Sequence, residues 1–81
     1  MDITIQCMGV TRRLAGAPEL ALQLPGPTSV ADALGLLARQ LPALRAELPR
    51  CACAVGDFIV LRDHILCGGE TLVLLPPIAG G

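Results

Sequence analysis

The sequence predicts a two-layer α+β domain: a mixed sheet of four to five strands with one face covered by a single main helix. Three observations predict it. Two runs near the N-terminus alternate apolar and polar residues. One apolar stripe at helical spacing extends from Val30 to Leu41. Short apolar runs separated by turn residues then return between Cys51 and Leu75. With only one long helix available, that helix must cover one face of the sheet. A chain of 81 residues makes one domain, with no room for a second.

The elements follow in order. In Ile3 to Met8, Ile3, Ile5 and Cys7 alternate with Thr4 and Gln6, the period-two pattern of a half-buried strand. Gly9 ends it, and the stretch through Gly16-Ala17-Pro18 reads as a connecting loop. In Glu19 to Leu24, Leu20, Leu22 and Leu24 share a face, so this run reads as a second strand paired with the first. Pro25-Gly26-Pro27 breaks it. Ser29 is a candidate N-cap with Asp32 three residues later, a variant of the capping box. Val30, Ala33, Leu34, Leu37 and Leu41 then form one apolar stripe. Pro42 ends the helix or begins a new turn, and Ala43 to Leu48 offers a further short helical turn. Cys51 to Val55 and Phe58 to Leu61 read as short strands joined by the Gly56-Asp57 turn. Ile65-Leu66 is an apolar anchor, Gly68-Gly69-Glu70 a turn, and Thr71 to Leu75 the last strand. The order is ββαβββ, or ββαββ if one short strand is lost.

Composition suits a small carrier better than an enzyme. The hydrophobic fraction is 53%, yet Trp and Tyr are absent and there is one Phe, so Leu, Val, Ile and Ala must build the core. Such a surplus in a short chain points to a surface patch covered by a partner, and an Ala- and Leu-rich coding bias gives the same count. Net charge is −1, without a basic run or interleaved aromatics, which excludes the usual nucleic-acid surfaces. No apolar stretch approaches the ~20 residues that span a bilayer. The N-terminus lacks the basic and apolar regions of a signal peptide, so the expected address is the cytoplasm. All six basic residues are Arg and Lys is absent. A protein with an activated C-terminal carboxyl gains from having no amine to acylate, and GC-rich coding gives the same bias.

No catalytic or metal-binding constellation is visible. Cys7, Cys51, Cys53, Cys67 and His64 lack zinc spacing, since Cys51-x-Cys53 stands without a second pair. Buried free thiols are the expectation, with Cys51 and Cys53 on one face of a strand. A disulfide framework is not expected without a secretion signal. His64 reads as a surface residue. Gly68-Gly69 is a turn and not a phosphate loop, because no Gly-Lys-Ser/Thr follows.

The end of the chain is its most informative feature. The strand-like run to Leu75 leads directly into Pro76-Pro77-Ile78-Ala79-Gly80-Gly81. The prolines cannot extend a sheet. Ile78 is expected to give one apolar anchor, and the last residues to project as a thin tail from about residue 76. A glycine pair at the end packs almost nothing. That shape suits the passage of a carboxyl group through a narrow channel into another protein, which makes Gly81 the reactive residue. Docking then needs an apolar surface near the tail's base. Phe58, as the sole aromatic residue, is a candidate to flank the exit together with Leu75 and Ile78, since aromatics are enriched at interface hot spots. The competing reading places Phe58 in the core, where strand phenylalanines usually lie.

These residues resemble the small, sulfur-carrying subunit of molybdopterin synthase, a ubiquitin-like β-grasp family. The most specific piece is Pro76-Pro77-Ile78-Ala79-Gly80-Gly81, similar to that family's Pro-Pro-Val-x-Gly-Gly. Ala54-Val55, Asp63-His64, Leu66 to Glu70, and Arg12, Leu14 and Gly16 fall where the family has related motifs. Gly56, Arg13, Gly68, Thr71 and the Leu74-Leu75 pair depart from it.

The resemblance implies a non-catalytic carrier with no permanently bound cofactor or metal. An ATP-dependent E1-like enzyme would adenylate Gly81, forming a transient AMP adduct. A persulfide donor would then replace AMP and leave a Gly81 thiocarboxylate. The large catalytic subunit of molybdopterin synthase would receive the tail, residues 76–81, and use the sulfur to build the dithiolene of molybdopterin from a pterin precursor. The same tail also fits a sulfur carrier for thiamine, cysteine or a natural product, and a modifier joined to lysines through Gly81.

Overall fold

The computed structural model describes residues 1–78. Alternation decides its centre. In β1 (Asp2–Cys7) the side chains of Ile3, Ile5 and Cys7 are buried, while Thr4 and Gln6 on the opposite face are half-buried. β2 (Glu19–Gln23) pairs antiparallel with β1, setting Ile3 against Leu22 and Ile5 against Leu20. β7 (Thr71–Leu75) runs parallel to β1 on its other side, with Ile5 beside Leu72 and Cys7 beside Leu74. β4 (Ala52–Val55) and β5 (Phe58–Val60) complete a mixed five-stranded sheet in the order β2-β1-β7-β4-β5. Sheet and helix give the ubiquitin-like β-grasp arrangement.

The main helix, α2 (Val30–Gln40), covers the inner face with Val30, Ala33, Leu34 and Leu37, all buried. The expected cap is present: Ser29 Oγ accepts from the Asp32 amide at 3.1 Å. The amides of Val30 and Ala31 donate to the carbonyls of His64 and Arg62, both at 2.9 Å. Three donors of the first turn therefore have partners that the helix itself cannot supply. Beyond Leu41, Pro42 starts one 3₁₀ turn (Pro42–Leu44), and a second spans Leu48–Arg50. Their Leu44 and Leu48 join the core.

Two parts of the chain differ from the sequence expectation. The stretch from Gly9 to Pro18 is not simply a loop, because Val10–Ala15 forms a short helix, α1. It buries only Thr11, so no apolar stripe marks it. The Ile65-Leu66 anchor is itself a two-residue strand, β6, paired antiparallel with β3 (Thr28–Ser29) just ahead of α2.

The turn before β7 is held by a carboxylate. Glu70 accepts from the amides of Cys67 (2.7 Å) and Gly68 (2.6 Å). Gly68 and Gly69 have φ of 112° and 81°, which L side chains rarely adopt. The Gly69 amide then donates to Asp2 O, and the Thr4 amide to Glu70 O. The turn is thereby fastened to the first residues of β1.

Two outcomes follow from this packing. Leu37 is 1% and Leu34 6% exposed. Replacing either with Ala should cost about 2–5 kcal/mol in a denaturant melt, and unchanged melting of both variants would show that the helix faces the wrong way. Burial of Glu70 opposes its charged form, but the amides of Cys67, Gly68 and Glu70, with nearby His64, hold its pKa below the usual 4.5. Its stabilisation is present above that value and lost as pH falls through the lower folded pKa. Glu70→Gln should lower the melting temperature at neutral pH and weaken its dependence on acid below about pH 4.5.

Candidate functional site

The site is the place where β7 leaves the sheet. Its last ladder pair is Leu75 with Ala52. Pro76 has no N–H to donate, so the sheet cannot continue on that strand. Pro76 is half-buried, and Pro77 and Ile78 are exposed. Ile78 is 85% exposed. This corrects the expectation that it anchors the tail to the domain, for it has no core to enter. Ala79, Gly80 and Gly81 lie outside the described residues.

Gly9 sets the base of the tail. It has φ of 57°, and a Cβ there would come within 3.2 Å of Pro76 Cγ. Glycine is therefore favoured by its positive φ, and a side chain would also make the Pro76 ring give by a few tenths of an ångström. Thr11 closes the same corner: its hydroxyl donates to Met8 O at 2.6 Å and accepts from the Met8 amide at 3.0 Å. The sequence expectation missed Gly9 as a site residue, taking it only as the end of a strand. No local pattern marks that role, which follows from the approach of Pro76 in the fold. The sequence offers only Gly16, which ends α1 in the left-handed conformation with its amide on Arg12 O and so marks the helix that Gly9 precedes.

An open cleft of about 730 Å³ lies beside the tail. Met8, Val10, Leu75 and Pro76 give it an apolar lining, and Arg13 and Arg50 stand at it. Glu47 lines the cleft too, 3.8 Å from Arg50. Its side chain is half-buried while that of Arg50 is exposed, so the acid offsets part of the arginine's charge there.

The outer face of the sheet is the second part of the site. Strand alternation places Ala52, Ala54, Ile59, Val73 and Leu75 on the side away from α2. Toward β1 and β2 the same face turns polar, with Thr4, Gln6, Glu19 and Gln23. The apolar half therefore adjoins the tail, and Ile59 is 64% exposed. Leu75, half-buried, links this patch to the tail.

Phe58 lies elsewhere. It is 76% exposed, which removes the core reading. It pairs with Val55, which pairs in turn with Leu72, whereas the tail leaves at Leu75. Three residues of strand separate the two levels, about 10 Å. Phe58 therefore does not flank the exit, contrary to the sequence expectation. Its parity puts it on the α2 side of the sheet, beyond the cover of the helix.

Cys7, Cys51 and Cys53 are buried free thiols, and Cys67 is exposed. Burial pushes the first three thiols up from their usual pKa, so they stay protonated and unreactive at neutral pH. The Arg62 guanidinium donates to Cys53 Sγ, Cys51 O and Leu48 O at 3.3, 2.6 and 3.2 Å. It ties the second 3₁₀ turn to β4. His64 is exposed. Among the described residues, no three His, Cys, Asp or Glu side chains gather as a metal site. No helix of these residues is long and apolar enough to cross a membrane.

The fold and the proline-based exit from the middle of the sheet are those of a small ubiquitin-like β-grasp domain. The model of the ThiS family matches residues 5–81, and this chain belongs to that family. The molybdopterin synthase sulfur carrier subunit of Arabidopsis thaliana is 25% identical over 81 residues, covering 100% of this chain and 84% of that protein. Among solved structures, SAMP1 of Haloferax volcanii, a small archaeal modifier protein, is similar with a TM-score of 0.89, 20% identity and 100% of each chain covered. A chain in the complex of subunits 1 and 2 of molybdopterin-converting factor from Helicobacter pylori gives a TM-score of 0.69, 21% identity and 100% coverage of each chain. The protein thus has a sulfur-carrier fold and is a homologue of a molybdopterin synthase subunit.

The exposure of Phe58 makes a direct prediction. Phe58→Ala should leave stability within about 0.5 kcal/mol of the parent, the usual range for a surface change. A large fall in melting temperature would mean that the side chain is packed after all.

Proposed function

We propose that this protein is a non-catalytic sulfur carrier of molybdenum-cofactor biosynthesis, loaded at Gly81. The observation that carries this reading is the family match through residue 81, which includes the Pro-Pro-x-x-Gly-Gly ending. The geometry at the tail's base supports it. Gly9 and Pro76 direct the chain away from the sheet, and Pro77 and Ile78 are free to meet a partner.

The chemistry requires three partners. An E1-like enzyme would let the Gly81 carboxylate attack the α-phosphorus of ATP, releasing pyrophosphate and forming an acyl-adenylate. The outer sulfur of a protein persulfide would displace AMP, giving an acyl disulfide. A thiol would then cleave its S–S bond, becoming a disulfide itself and leaving the thiocarboxylate on Gly81. The large catalytic subunit of molybdopterin synthase would receive residues 76–81 and transfer the sulfur to a pterin precursor. Leu75 and the apolar outer face would provide docking surface, with Phe58 as an outlying contact. All of this would take place in the cytoplasm, and no cofactor would remain bound between cycles.

The test combines mass spectrometry with a sulfur-transfer assay. Incubation with the adenylating enzyme, ATP and a persulfide donor should add the mass difference between sulfur and oxygen to the intact chain. Deleting Gly81, or adding one residue after it, should abolish loading and transfer while the melting temperature stays unchanged. Full transfer by the extended chain would sink the terminal-carboxyl mechanism. Transfer to a thiazole or cysteine precursor, or isopeptide bonds to lysines of other proteins, would assign the carrier to another pathway or to protein modification.

A further inference from the structure

The charged side chains are sorted along the strand direction. Arg12 and Arg13 lie on α1, and Arg39 lies in the last turn of α2. Arg45 follows the first 3₁₀ turn and Arg50 ends the second. The contact of α1 with the first 3₁₀ turn brings these segments to the end of the sheet where the tail leaves. All five arginines are exposed. Among the described residues Arg12, Arg13 and Arg50 line the clefts beside Met8 and Gly9 together with Glu19 and Glu47, while Arg39 shares a cleft with Asp32. The acids occupy the other end. Asp2 begins β1, Asp32 lies in the first turn of α2, and Asp57 lies in the β4–β5 turn. Asp63 and Glu70 lie in the loops before β6 and β7. The Met1 ammonium, which donates to Leu24 O, stands among these acids. The described part of a nearly neutral chain is therefore partly polarised, with Arg12, Arg13 and Arg50 as its positive pole around the tail's base.

We propose that this arginine pole docks against an acidic protein rim that carries an apolar side chain for the cleft beside the tail. The rim would surround the partner's tail-receiving channel, so the inference rests on the tail-delivery reading. Charge complementarity specifies the acids. The lining by Met8, Val10, Leu75 and Pro76 specifies the apolar contact, and Arg13 and Arg50 place acids on either side of it. The poles are a six-residue strand apart, about 20 Å. That exceeds twice the Debye length of about 8 Å at physiological salt, so a partner approaching Arg13 and Arg50 is screened from Asp2 and the turn acids, although Arg39 lies only about two helical turns from Asp32 on α2. The docking would steer the tail end-on and raise the rate of encounter. A polyanion such as RNA is the less suited occupant. The arginines flank an apolar cleft, Glu19 and Glu47 interrupt them, and the only aromatic residue, Phe58, lies outside this pole.

The test measures association of the full chain with the purified adenylating enzyme and with the large synthase subunit by stopped-flow. For at least one of them the association rate should fall several-fold as salt rises from about 50 to 300 mM. Arg13→Glu with Arg50→Glu should lower the low-salt rate about tenfold or more and flatten its salt dependence. Arg13→Lys with Arg50→Lys should retain most of the rate. Asp57→Lys with Asp63→Lys, at the far pole, should change it little. Melting curves should show all three variants folded. A salt-independent rate in the parent, or a parental rate in the Glu variant with both enzymes, would overturn the proposal. Binding of a labelled single-stranded RNA that depends on Arg13 and Arg50, with protein association unaffected, would assign the pole to nucleic acid instead. Sulfur loading of Gly81 is followed in parallel. Loading with salt-independent association overturns only this docking, whereas absence of both loading and association overturns the carrier reading with it.

Discussion

The parallel pairing of β1 with β7 is the constraint on which the rest depends. It joins the first strand of the chain to the last, with all other elements between them. Parallel neighbours cannot be joined by a tight turn, so the chain must travel far before it returns. The return is secured at one end by the Glu70 turn, whose backbone bonds to Asp2 and Thr4. Ile5 beside Leu72 and Cys7 beside Leu74 then fill the middle of the core. Because β7 is central, its last residue emerges from the middle of the sheet's edge and not from a frayed side. The position of the tail is thus set by the same contacts that hold the fold.

A slip of one residue in this pairing would exchange the two faces of β7. Leu72 and Leu74 would lose the core, and Val73 and Leu75 would leave the outer face. The apolar patch beside the tail would disappear with them. Register therefore couples stability to the surface that a partner would meet. Gly9 adds a local condition, since its positive φ suits glycine and a side chain there would press on the Pro76 ring.

Much of this was legible in the sequence. Leu20, Leu22, Ile3 and Ile5 announced their strands through alternation, and Val30 to Leu37 announced the helix through spacing, because both patterns record burial on one face. The tail was legible because Pro76 and Pro77 cannot continue a strand. Three things were not. Helix α1 buries only Thr11, so its signal lies in hydrogen bonds that an apolar pattern does not display. The β3–β6 pair is two residues long and depends on contacts between distant parts of the chain. The position of Phe58 was misjudged because distance to the tail follows from strand order and level. Neither quantity exists until β4 and β5 are paired. The arginine pole was hidden for the same reason, since Arg13 and Arg50 are far apart in sequence and meet at one cleft only in the fold.

If the tail is delivered as proposed, the energetics of its insertion would give the outer apolar face its importance. Fixing the backbone of a residue costs about 1–2 kcal/mol, and glycine loses the most freedom. In the proposed delivery, threading residues 76–81 through a channel would carry a penalty that the Gly80-Gly81 pair, with no side chains, could not offset by burial. Pro76 and Pro77 reduce that cost, because their φ angles are fixed before binding. The contact of Pro76 with Gly9 reduces it further by setting the direction of departure. The remainder must come from surface outside the tail. Apolar burial contributes roughly 25 cal/mol per Å², and Leu75, Val73 and Ile59 offer such area next to the exit. The reactive end can then remain thin enough to enter a channel. In the proposed carrier, affinity would be supplied by the domain, and chemistry by the terminal carboxyl.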